Sequence, residues 1–126
     1  MIIGNPPYIQ IQKLIDIYPE ETKFIQKYYS TAQEKNIDIY VPFIEKGISL
    51  LKEGGFLGFI CPNRFFNSEY GTKLREFLKQ YNLYHLVNFR HYFVFQDADA
   101  YTCLLFVQKS KQSQYLDYIE KAGRCQ

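Results

Sequence analysis

Apolar positions follow two rhythms along the chain, and the switches between them mark out its elements. Ile2-Ile3 reads as the end of a buried strand that breaks at Gly4. Residues 9 to 18 fit neither rhythm and are left unassigned. From Pro19 the spacing turns helical: proline suits a first turn, and Glu20 and Glu21 complement the positive end of a helix. The apolar face of that helix is expected to carry Phe24, Ile25, Tyr28 and Tyr29, and "STAQEKN" closes it. A second helix is predicted from Asp38, a candidate N-cap, with Ile39, Phe43, Ile44, Ile48 and Leu51 at helical spacing. Pro42 falls in its first turn, where a missing N–H costs little.

Glu53-Gly54-Gly55 ends the second helix, and the apolar run "FLGFIC" is best read as a buried strand. "PNRFFNS" is then a loop at that strand's C-terminal end. Ser68 is a candidate cap for a third helix through Gln80, with Leu74, Phe77, Leu78 and Tyr81 on one side. "LYHLVNF" and "AYTCLLFVQK" are two further strands joined by "RHYFVFQDAD". The tail from Ser110 is polar, then weakly helical from Tyr115 to Lys121. Strands that alternate with helices predict an α/β fold with a parallel sheet, and the last two strands can pair antiparallel. The first strand has hardly any length, so the sheet starts in its middle.

Size and composition narrow the classes. A chain of 126 residues is one domain or part of one, and 47% hydrophobic residues with 5 prolines describe a folded chain. The formal charge of +2 is too small to argue for nucleic acid by itself. Cys61, Cys103 and Cys125 have no metal-ligand spacing, and an odd count without a secretory segment implies reduced cytoplasmic thiols. His85 and His91 lack ligand partners, so neither zinc nor a histidine base is expected. No apolar run reaches the roughly 18 residues of a membrane span. The expected location is the cytoplasm, with no membrane partner.

The candidate chemistry lies in Asn5-Pro6-Pro7-Tyr8. Each proline lacks an N–H, fixes its own φ and extends the residue before it. The tetrapeptide is therefore stiff, rich in acceptors and closed by an aromatic face. In open α/β sheets ligands bind at the C-terminal ends of strands, and a planar group with an exocyclic amine suits this one. The Asn5 oxygen and the Pro6 carbonyl would accept its two N–H bonds while Tyr8 covers the ring. Drawing the nitrogen lone pair out of conjugation makes it a better nucleophile towards an electrophilic methyl group. Taken as four residues alone, a tight structural turn explains the stretch equally well.

"IIGNPPYI" resembles motif IV of the amino methyltransferases that use S-adenosylmethionine. That motif is shared by DNA adenine methyltransferases, glutamine methyltransferases acting on release factors and guanine-amino methyltransferases acting on ribosomal RNA. "NIDIYVPFIEKGISLLKEGGFLGFICPNRFFNSEYGTKLREFL" resembles motifs V and VI of the gamma-class, Taq-like DNA adenine-N6 methyltransferases of restriction-modification systems. "VFQDADAYTCLLFVQKS" is similar to their motif VIII. The glutamine branch carries a Glu after "GG-x-L-x-x", which Gly54 to Phe59 lack. The resemblance covers residues 1 to 110 and leaves 111 to 126 as a polar tail leading towards a target-recognition region.

This resemblance implies a fold: the C-terminal half of a Rossmann-like methyltransferase, with a mixed, mostly parallel sheet, flanking helices and a C-terminal antiparallel hairpin. It also implies roles. Asn5, Pro6, Pro7 and Tyr8 would form the catalytic corner, and Tyr8 and Phe95 would sandwich an adenine flipped out of double-stranded DNA. Phe93, two residues away, competes with Phe95. Asp38 and Tyr40 match motif V, near the cofactor and target pocket, although Asp38 serves equally as a helix cap. Pro62-Asn63 matches motif VI, where Asn63 and Arg64 line the cleft or cap the loop. Arg64, Arg90, Lys109 and Lys111 are candidates for phosphate contacts, or plain solvated charges.

The family binds S-adenosylmethionine mainly through a glycine-rich loop and an acid that precede motif IV, and some members also carry an endonuclease. Neither cofactor element occurs in this sequence. The expectation is a partial catalytic domain that needs the remainder of a methyltransferase chain and is inactive alone. An unpaired first strand also predicts self-association through the sheet edge. Two rival readings stay open: a fragment acting on RNA amino groups, and a noncatalytic α/β module that binds nucleic acid.

Overall fold

A computed structural model describes residues 1–90, 94 and 100–111, and the backbone of 117–120. The elements in chain order are β1 (Ile2–Gly4), α1 (Ile11–Ile15), α2 (Pro19–Tyr28), α3 (Tyr40–Leu50), β2 (Phe56–Pro62), α4 (Thr72–Leu78), β3 (Asn82–Asn88), β4 (Thr102–Gln108) and β5 (Asp117–Glu120). Among the described residues they form one sheet in the order β1-β2-β4-β3-β5. β1 runs parallel to β2 and β5 parallel to β3, while β4 is antiparallel to both β2 and β3. Four strands therefore share one direction and β4 alone reverses, which is the mixed, mostly parallel sheet expected.

The alternation along β2 and β4 sets the core. Leu57, Phe59 and Cys61 face the same side as their register partners Val107, Leu105 and Cys103. Onto that side α3 lays Tyr40, Val41, Ile44 and Ile48, and α4 adds Leu74 and Leu78, all buried. Each such side chain contributes on the order of 1.5–3 kcal/mol by leaving water. α3 approaches closely at Gly47, where a Cβ would stand 2.5 Å from the Leu57 Cδ1 atom. Cys61 and Cys103 are free, buried thiols with sulfurs 3.8 Å apart. Their mutual hydrogen bond and burial push the Cys61 thiol well up, as in an inert packed cysteine.

A second cluster of Ile11, Ala32 and Ile37, with Ile25, Tyr29 and Tyr70 against it, docks α1 and α2 beside α3. The Glu45 carboxylate fixes the turn between α2 and α3 by accepting from the backbone and hydroxyls of Ser30 and Thr31.

Several expectations are corrected. The stretch 9–18 contains the short α1. On α2 the buried residue is Thr22, whose hydroxyl is satisfied by the Tyr18 carbonyl at 2.8 Å. Phe24 and Tyr28 are exposed and pack on each other with centroids 4.6 Å apart. A run with aromatics on two sides does not reveal which side meets the core. Phe43 on α3 is likewise exposed. The third helix starts at Thr72, four residues after Ser68, whose side chain makes no cap bond. Residues 64–71 instead wind into two 3₁₀ turns held by Arg75. The tail holds β5, not a helix, because the open edge of β3 offers backbone partners that outweigh a weak helical preference.

Candidate active site

β1 ends at Gly4 and the next five residues have no regular structure, as two adjacent prolines dictate. The motif leaves the C-terminal end of β1 and is caught again by a short ladder. Ile11 N–H donates to the Ile37 carbonyl and Ile39 N–H to the Ile9 carbonyl, both at 2.9 Å, around a bridge between Gln10 and Asp38. The corner is thus held at both ends, and the ladder brings Asp38 beside it.

Within the corner Pro6 is buried while Asn5 and Pro7 are exposed. The Tyr8 hydroxyl donates to the Asn5 Oδ1 atom at 2.7 Å and lies 3.3 Å from the Ile60 carbonyl on β2. Burial pushes the Tyr8 phenol up to about 12, so it stays a donor across the neutral range. That bond fixes the carboxamide and leaves the second lone pair of Oδ1.

A cavity of about 580 Å³ opens over this corner. Asn5, Pro6, Pro7 and Tyr8 form one wall, with Gln10 and Lys13 following them. Asp38 faces from the ladder, Pro62 and Arg64 from the end of β2, and Ala100 from the approach to β4. A second cavity of about 260 Å³ adjoins it, lined by Gln10, Gln12, Asn36, Asp38, Arg64 and Tyr70. Gln10, Asp38 and Arg64 are common to both, so the two form one trough. Burial raises the Asp38 carboxyl above its usual range, against the pull of the Tyr40 N–H at 3.5 Å and of the Arg64 charge.

The candidate residues separate by position. Asn5, Pro6, Pro7, Tyr8, Asp38, Pro62 and Arg64 meet at the trough. Tyr40 does not line it: the ring is fully buried in the core, and only its hydroxyl, 3.1 Å from that of Tyr70, connects it to the second cavity. Asn63 ties strand ends together, its Nδ2 donating to the Asn88 Oδ1 atom at 2.9 Å. Lys109 is spent on the carbonyls of Ser49 and Leu51 at the C-terminus of α3, at 3.2 and 2.9 Å. It serves as a helix cap and does not line the trough. Lys111 is exposed, and neither it nor Arg90 lines the trough. Phe95, Phe93, His91 and Cys125 lie outside the described residues.

Gln10, Lys13 and Tyr70 belong to the trough and were not singled out by sequence. The first two follow the motif directly, in the stretch whose rhythm gives no element. No helix among the described residues is long and apolar enough to cross a membrane.

The model of the Eco57I restriction-modification methylase family matches residues 1–95. Among curated proteins, the chain is 39% identical over 119 residues to the type II restriction enzyme and methyltransferase RM.Eco57I of Escherichia coli, covering 94% of this chain and 12% of that protein. It is 35% identical over 111 residues to the type II methyltransferase M.BstVI of Geobacillus stearothermophilus, covering 87% and 19%. The chain thus spans less than a fifth of either relative. Among solved structures, a protein of Listeria monocytogenes assigned to the class I S-adenosylmethionine-dependent methyltransferases superposes with a TM-score of 0.71 at 19% identity, over 96% of this chain and 36% of that one. The DrdV–DNA complex gives 0.70 at 19% identity, over 95% and 14%. Both likenesses speak to the fold, which is that of part of a methyltransferase domain.

Proposed function

The chain belongs to the Eco57I restriction-modification methylase family, and from that premise we propose that it carries the target-amine half of a DNA adenine-N6 methyltransferase site. The observation that supports this most is the acceptor-rich corner at the C-terminal end of β1, open to a cavity large enough for a nucleobase. In this reading the free lone pair of Asn5 Oδ1 and the Pro6 carbonyl accept the two N–H bonds of the adenine amine. The nitrogen lone pair is pulled out of conjugation and turned outward as a nucleophile. Tyr8 stacks on the everted base, and Phe95 is proposed for its other face. Base extrusion costs a few kcal/mol, offset by stacking and these hydrogen bonds.

The family cofactor, S-adenosylmethionine, supplies an electrophilic methyl group when bound. The residues described do not by themselves form a site for it. No glycine-rich loop follows a strand in this sequence, and the carboxylate at the trough, Asp38, is half-buried beside Arg64. Asp38 is therefore proposed to border the reaction space, with the main cofactor contacts made by another part of the protein. The chain alone is expected to be inactive.

The test is methyl transfer by the complete protein containing these residues to duplex DNA, followed by nucleoside analysis. N6-methyladenine is the expected product. Label on cytosine or in RNA alone would overturn the reading.

A further inference from the structure

Two arginines of the segment between β2 and α4 have opposite fates. The Arg75 guanidinium is consumed inside the protein, donating to the carbonyls of Phe65 at 2.6 Å and Ser68 at 2.9 Å and to the Thr72 hydroxyl at 3.0 Å. Arg64 is exposed, and its guanidinium makes no hydrogen bond or ion pair with a described residue. Yet its backbone is rigidly placed. Asn63 N–H donates to the Tyr101 carbonyl at 2.9 Å, Ser68 N–H to the Arg64 carbonyl at 3.2 Å, and Phe65 is buried against the Tyr40 and Phe66 rings. Gly71 lets the next turn close over it, since a Cβ there would stand 2.3 Å from the Phe65 oxygen. The Arg64 charge is felt by Asp38 but is not consumed in a hydrogen bond to a described residue, so a fixed backbone presents a guanidinium able to bond an anion.

The second cavity supplies the rest. Its walls are three carboxamides, a phenol, one carboxylate and the Arg64 guanidinium, and the Gln12 carboxamide donates to that of Asn36. The Tyr70 hydroxyl is steadied by Tyr40 at 3.1 Å. Asp38, on the wall shared with the larger cavity, disfavours an anion deep inside. A neutral, oxygen-bearing ring fits the interior, and an anion fits the mouth at Arg64. Lys13 adds a second cation across the larger cavity.

We infer that this second cavity is the subsite for the sugar–phosphate that flanks the everted base. Deoxyribose lies among Gln10, Asn36 and Tyr70, and Arg64 holds the phosphodiester. This rests on the base reading of the larger cavity, and the test separates the two. Binding of a short, labelled single-stranded oligodeoxynucleotide with one adenine is followed by anisotropy over a range of KCl concentrations. The same strand with an abasic site in place of adenine is measured beside it.

Arg64→Gln is expected to reduce the slope of log K against log salt by about 0.7, one phosphate contact on single-stranded DNA, for both strands. Arg64→Lys keeps the slope. Asn5→Ala leaves the slope unchanged and removes only the preference for adenine over the abasic strand. A slope that Arg64→Gln does not change, with the circular dichroism spectrum intact, overturns the phosphate subsite. An adenine preference that survives Asn5→Ala overturns the base reading instead.

Discussion

Replacing Arg75 by Met separates a structural arginine from a ligand-facing one. The substitution keeps most of the apolar stem and removes the guanidinium that holds the 3₁₀ segment against α4. Two part-buried carbonyls, of Phe65 and Ser68, lose their charged donor, and the Thr72 hydroxyl loses a third bond. Hydrogen bonds to a charged group contribute about 1.5–3 kcal/mol each. The Thr72 bond is exposed, and the freed carbonyls recover some water, so the net loss is put at about 3 kcal/mol. Over 126 residues, at about 2 cal/mol/K per residue, that lowers Tm by about 10 °C. Urea unfolding followed by circular dichroism measures the free-energy loss and a thermal melt the shift in Tm, with Arg64→Met as the internal comparison, expected within about 0.5 kcal/mol of the unsubstituted chain. If Arg75→Met costs no more than Arg64→Met, the assignment of the two arginines is wrong.

Other expectations follow from the same geometry. Asp38→Asn should stabilise the chain at neutral pH: its folded pKa lies above the unfolded 3.8, so the native state binds the proton more tightly and stability falls as pH rises through that interval. Urea midpoints for both chains should converge as pH drops below that value, and a gap that widens on acidification contradicts the burial argument. Tyr8→Phe removes the 2.7 Å bond to Asn5 but keeps the ring. It should cost about 1 kcal/mol in stability and lower kcat for DNA more than it raises KM, whereas a change in KM alone would deny the hydroxyl its positioning role. β1 has no described partner on its outer edge, and its central residue Ile3 is 75% exposed. Sedimentation velocity over a concentration series should show assembly, and a monomer at every concentration would refute it.

The sequence made some of this legible for identifiable reasons. "FLGFIC" and "TCLLFVQ" are apolar beyond what one solvated face allows, and they became the adjacent β2 and β4. Two prolines after a short strand could form little but an open corner, and Asn5 stands at one. What stayed hidden depends on partners distant in sequence. Nothing in the surroundings of Lys109 reveals that its ammonium reaches the end of α3, some 60 positions earlier, at Ser49. Tyr40 and Asp38 are two residues apart on the same motif, yet the turn into α3 sends one into the core and the other to the trough. The aromatic spacing on α2 was consistent with either face. β5 needed the vacant edge of β3, a property of the assembled sheet.

Whether Asn5 accepts a hydrogen bond from the target amine is measured most directly by the turnover of the complete protein on duplex DNA with and without Asn5→Ala. Loss of one preorganised hydrogen-bonding group at a reacting centre costs about 10²–10³ in kcat, so a decrease of that size is predicted, with a loss of stability no larger than the about 1 kcal/mol expected for Tyr8→Phe, which breaks the same bond. Undiminished turnover by the Asn5→Ala protein would contradict the account.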